Sequence, residues 1–128
     1  MKLLTLNTHS LAEPDYEAKR EIFVNFIAAE QPEVFALQEV NQTAAAPLLG
    51  AAPAGYTPCP GNAVPLKADN HAAAVSRMLQ KRGVHYHWSW LPAKIGYDKY
   101  DEGMAVFSRA PITAAENLLL SKTNDYRC

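Results

Sequence analysis

Residues 3–39 set two short apolar runs on either side of one amphipathic stretch, and that order leaves few folds open. Leu3 to Leu6 reads as a strand that gives way to a loop at the polar cluster Asn7, Thr8, His9 and Ser10. From Asp15 to Gln31, Ile22, Phe23, Phe26 and Ile27 recur at one-turn spacing, which predicts an amphipathic helix. Asp15 is expected to cap its start, Glu17 suits its positive end, and Pro32 stops it. Val34 to Leu37 is a second strand, closed by Gln38 and Glu39. A strand, helix and strand at this spacing fit a parallel crossover unit.

The rest of the chain extends the pattern. Residues 42–68 have no usable period and carry Pro47, Pro53, Pro58, Pro60 and Pro65. A loop this long faces a substrate or makes a variable surface excursion, and both readings stand. Asp69 to Arg82 reads as a second helix, with Asp69 as cap, Ala72, Val75 and Leu79 as the buried stripe, and Gly83 as terminator. Val84, Tyr86, Trp88 and Trp90 alternate with His85, His87 and Ser89, the clearest period-two signal in the sequence. Gly103–Ser108 and Ile112–Leu120 are expected as two more strands, with Ala110-Pro111 turning between them. The class is α/β, a mixed sheet with flanking helices in a single domain spanning residues 1–128.

Composition removes several functions. An apolar content of 48% excludes wholesale disorder, and a formal charge of −1 lacks the basic footprint of a general nucleic-acid binder. No run approaches the roughly 18 apolar residues of a membrane span, and no secretory signal opens the chain. Cys59 and Cys128 make neither a disulfide framework nor a zinc site, so both are read as free thiols in a reducing cytoplasm.

In a parallel strand pair both carboxyl ends leave the same edge of the sheet, where open α/β folds bind ligands. Asn7 and Glu39 end the two strands and so converge there. An amide oxygen and a carboxylate are hard donors, suited to Mg²⁺ or Mn²⁺ with a substrate phosphate completing the shell. A turn-forming Asn7 and an exposed strand-end Glu39 would satisfy the same spacing. His9 lies close enough to approach a phosphate, or is a plain loop residue. His85 and His87 share one strand face, expected to be solvated, and His71 is expected at the surface. Asp101 and Glu102 are adjacent and point to opposite faces, which makes them poor partners for a paired-carboxylate site.

Three segments together carry a resemblance: Leu4-Thr5-Leu6-Asn7, then Ala36-Leu37-Gln38-Glu39-Val40, then Tyr100 through Arg109 followed by Pro111-Ile112. In order and spacing they resemble the endonuclease/exonuclease/phosphatase superfamily, whose DNase I-like fold is a four-layer α/β/β/α sandwich. The resemblance implies an amino-terminal half of that domain and a metal-dependent phosphoesterase. It implies Glu39 as metal ligand, Asn7 as active-site residue beside metal and phosphate, and Glu102 as the acid that orients a catalytic histidine. Tyr100 falls where DNase-like members place a substrate-contacting aromatic. The family's second half supplies an Asp-x-Asn pair, a further aspartate and a closing Asp-His, whereas only Glu116 and Asp125 follow Glu102 as acids here, with no histidine. The expected partners are therefore a phosphate ester (nucleic acid, phospholipid or sugar phosphate) and either a carboxyl-terminal half or a second copy. The alternative is a non-catalytic module that associates through an exposed sheet face.

Overall fold

A computed structural model of the chain describes residues 1–118. Four strands form one sheet in the order β1-β2-β4-β3. The elements are β1 (Leu3–Asn7), α1 (Tyr16–Glu30), β2 (Val34–Thr43), α2 (His71–Lys81), β3 (His87–Gly96) and β4 (Tyr100–Ser108). β1 and β2 are parallel, as the crossover requires, while β4 runs antiparallel to both β2 and β3. The sheet is mixed, with two helices, as the sequence predicts.

The core lies between one sheet face and the helices. Phe35, Leu37, Ala105, Phe107, Trp88 and Trp90 pack with Val24, Ile27, Val75 and Leu79, all buried. Phe107 stacks on Phe35 at 4.5 Å and on Trp88 at 5.8 Å between centroids. The expected stripe of α2 is buried, and so are Tyr86, Trp88 and Trp90, with His85 and His87 on the wetter side. The stripe of α1 is rotated from the expected one. Ile22 is 69% exposed and Phe26 49%, whereas Val24 and Ile27 are fully buried. The sheet-facing side thus follows the 20-24-27-31 spacing, and two apolar residues are left on the outer side.

Neither predicted side-chain cap forms as expected. Asp15 precedes α1 in a left-handed conformation and makes no side-chain cap. The cap of α2 is Asn70, whose side chain accepts from the Ala73 N–H at 3.1 Å. Asp69 instead accepts from the Thr43 N–H at 3.0 Å, tying the long loop to the end of β2. Beneath it Gln42 is fully buried and uses its whole amide. Its Nε2 donates to Asp101 Oδ2 and Pro65 O, both at 2.9 Å, and its Oε1 accepts from Lys67 N at 2.8 Å and Asn70 Nδ2 at 3.0 Å. That network, rather than any period in residues 44–68, fixes the loop.

His71 is a correction. It is 3% exposed, its Nδ1 lying 2.7 Å from the Tyr16 hydroxyl between the starts of α1 and α2. Burial lowers its pKa from 6.5 to about 3, with Arg20 adding to the effect. The expected strand at Ile112–Leu120 is a second correction. Residues 111–118 have no regular structure, and Leu119 and Leu120 lie outside the described residues. The reason is topological: β4 already has β2 on one edge and β3 on the other, so the chain leaving Ser108 finds no free edge beside it. Ile112, Ala114 and Ala115 instead line a groove with Ala36, Met104 and Val106 on the sheet face away from the helices. Among the described residues, no helix is long and apolar enough to cross a membrane. Cys59 is a buried free thiol, and Cys128 and Asp125 lie outside the described residues.

Candidate active site

The register of β2 against β4 breaks between Leu37 and Val40, and Glu39 occupies the break with φ of 53°. A bulge with a non-glycine residue in the left-handed region is strained, and it turns a side chain out of the strand's alternation. Two carbonyls lose regular ladder partners there, and the segment after β1 supplies replacements. Thr8 donates through its backbone N–H and its hydroxyl to Gln38 O, each at 3.0 Å. Ser10 Oγ donates to Glu39 O at 2.7 Å and accepts from Asn41 N at 3.0 Å. From the far side Trp90 Nε1 donates to Val40 O at 3.0 Å.

Asn7 completes the clamp. Its Nδ2 donates to Glu39 Oε1 at 3.0 Å, while its Oδ1 accepts from the His9 N–H at 3.0 Å. The second bond settles which way the amide points. The structure therefore brings Asn7 and Glu39 side by side on the carboxyl rim, with the amide steering the carboxylate.

Glu39 and Glu102 line one cleft of about 460 Å³ together with Lys94, Ile95, Gly96, Tyr97 and Asp98. Glu102 pairs with Lys94 at 3.5 Å and packs closely over Gly96, where a Cβ would come within 2.9 Å of its carboxylate. Asp101 faces the opposite side, in the Gln42 network, as strand alternation predicts. Tyr100 is 7% exposed, and its hydroxyl donates to Leu11 O at 3.4 Å. His9 bridges the rim: Nδ1 lies 2.7 Å from Glu13 Oε2 and Nε2 lies 3.0 Å from the Tyr97 hydroxyl. Lys19 also pairs with Glu13, and these two hydrogen-bond partners hold the Glu13 carboxyl below its usual pKa.

His9, Ser10, Glu39, Tyr97 and Asp98 all have positive φ, so strained backbone gathers around this rim. Neither Tyr97 nor Glu13 carries a signal in the sequence. Strained conformations are set by tertiary packing, and only the short polar run at 7–10 pointed to the place. As for a metal, a held carboxylate beside a second acid is a hard-oxygen set that fits a divalent cation completed by water and phosphate. No group of three or more His, Cys, Asp or Glu gathers for a metal among the described residues.

A mixed sheet with two helices on one face and a strained cleft at its carboxyl rim describes an α/β domain with a candidate site at a strand end. Comparison with known proteins gives the class a name. The sequence model of the Endonuclease/Exonuclease/phosphatase family matches residues 4–127, and the chain belongs to that family. This is a family of phosphoesterase and nuclease-type hydrolases that generally use divalent metals. The structure is similar to an endonuclease/exonuclease/phosphatase family protein from Leptotrichia buccalis, with a TM-score of 0.74 and 32% identity over 89% of this chain. It spans 39% of that relative's length. A second likeness, to an endonuclease/exonuclease/phosphatase from Beutenbergia cavernae, has a TM-score of 0.50 and 20% identity, covering 87% of this chain and 26% of that one. It shows the fold alone. No curated protein matches the chain.

Proposed function

We propose that this chain contributes the metal- and phosphate-binding rim of a Mg²⁺-dependent phosphoesterase, Mn²⁺ serving in its place. The observation that carries this reading is the 3.0 Å contact from Asn7 to Glu39, made at a strained bulge that serves no purpose in the ladder. Glu39 would hold the ion, and Asn7 would keep its carboxylate in one orientation. A divalent ion there supplies Lewis-acid polarisation of a phosphoryl oxygen. Glu102, sheltered and paired with Lys94, would accept a hydrogen bond from a catalytic imidazole and fix its tautomer. No described residue of the cleft is such a histidine. His9, its two ring nitrogens engaged by Glu13 and Tyr97, would border the phosphate without binding it.

The test compares wild type with Glu39→Gln in the full-length protein, measuring Mg²⁺ binding by calorimetry and hydrolysis of a simple phosphodiester with and without chelator. Loss of both in the variant supports the reading. Equal activity in both proteins, insensitive to chelator, ends it. Met104 and Val106, 49% and 44% exposed on the face away from the helices, favour a second reading. That face would then be covered by a carboxyl-terminal half or by a second copy, and sedimentation equilibrium across concentrations separates the two.

A further inference from the structure

The tip of the β3–β4 hairpin is built unlike an ordinary tight turn. Tyr97 and Asp98 both have φ of 52°, and Lys99 N–H donates to Gly96 O at 3.0 Å. This is the mirror-image turn that hairpins use, which strongly favours Asn-Gly at its two central positions. A tyrosine held there is a conformational expense without benefit to the turn.

Its side chain shows where the benefit lies. Tyr97 is 65% exposed at the cleft containing Glu39 and Glu102, while Tyr100 beside it is buried. The Tyr97 ring meets Tyr100 edge-on, at 6.4 Å and 82°, and its hydroxyl reaches His9. Glu13 accepts from His9 Nδ1, and the other ring nitrogen, Nε2, bonds with the Tyr97 hydroxyl. Lys19 holds Glu13 in turn. Ring and hydroxyl are thus held by Tyr100 and His9, while most of the residue stays exposed to solvent. Exposed Ile95 lines the same cleft and adds an apolar side chain to it.

We propose that Tyr97 forms the wall of the cleft on which the flat organic group of a phosphate ester stacks, with Glu13 and His9 as its positioning residues. The inference rests on the phosphoesterase reading for the other end of the ligand. It moves the aromatic contact from Tyr100 to the turn residue. The ligand class is an ester whose alcohol carries an aromatic ring, a nucleobase included.

The experiment titrates the full-length protein with phenyl phosphate and with methyl phosphate, in Mg²⁺, by calorimetry. Wild type should bind phenyl phosphate about 10-fold more tightly, the gain expected of one stacked ring. Tyr97→Asn, whose side chain tolerates positive φ, should bring the ratio to about 1 with methyl phosphate affinity unchanged. Glu13→Ala should lower the ratio, and Glu13→Gln, which still accepts from His9, should restore it, with a cooperative thermal transition retained in every variant. Equal or absent binding of the two ligands by wild type overturns the inference, as does a ratio that survives Tyr97→Asn. Glu39→Gln should weaken both ligands alike. If it weakens neither while the ratio behaves as stated, the metal reading falls and the wall stands.

Discussion

Acid should destabilise this fold through one imidazole well before its carboxylates titrate. His71 is neutral and buried, its pKa lowered from 6.5 to about 3, and its Nε2 has no hydrogen-bond partner. The unfolded chain therefore takes up a proton below pH 6.5 that the folded chain refuses, so stability is full above that pH and falls as acid is added. At pH 5 the unfolded histidine is almost wholly charged and the folded one is not, which costs about 2 kcal/mol relative to pH 7. Glu13 and Glu33 have lowered values, Glu13 through Lys19 and Glu33 through the backbone of Lys2, and their contribution is lost below the ordinary carboxylate range, outside this window. His71→Phe keeps the ring volume and removes the titration. It should cost about 1 kcal/mol at pH 7 for the lost Tyr16 bond, yet lose about 2 kcal/mol less than wild type between pH 7 and pH 5. Urea unfolding at the two pH values reads this difference of differences. Wild type equally stable at both, or a Phe variant with the wild-type slope, would refute the reasoning.

Two further outcomes follow from backbone geometry. Glu39→Gly relieves the left-handed residue while losing the Asn7 contact, so urea unfolding should place it within about 1 kcal/mol of wild type, whereas β-branched Glu39→Val should be about 2 kcal/mol worse than the glycine variant. Divalent-ion affinity should vanish in both. Gly103→Ala would set a Cβ 2.4 Å from Leu91 O and 2.8 Å from Trp90 Nε1, a clash with rigid partners expected to cost about 2 kcal/mol or more in thermal or urea melts.

The parts of the molecule legible in the sequence are those governed by periodicity. The crossover unit, the buried face of α2 and the alternation through Trp90 were readable because each repeats a spacing; parallel pairing brings residues 7 and 39 to one rim, but their side-chain contact needs the bulge at Glu39. Features that depend on competition for partners were not. Asp69 and Asn70 are both good caps, and the choice between them rests on Thr43 N–H needing an acceptor. Likewise Ile112–Leu120 has strand composition, but no edge of β4 remains to receive it. His71 carries nothing in its neighbours to announce burial, since Tyr16 lies far away in the chain. At the site, the acids are motif residues, while Tyr97 and Glu13 gain meaning through a histidine that touches both.

The hydrogen bond from Trp90 to the carbonyl of Val40 gives the protein a built-in optical gauge. The indole is fully buried and anchored one residue beyond Glu39, so a rearrangement of that bulge changes the field on a chromophore already in place. Trp88, with its own indole N–H on Ala54 O and its ring against Tyr56, watches the long loop in the same way. Replacing either indole by phenylalanine separates the two emissions, and a divalent ion added to unlabelled protein should change the Trp90 emission if Glu39 binds it.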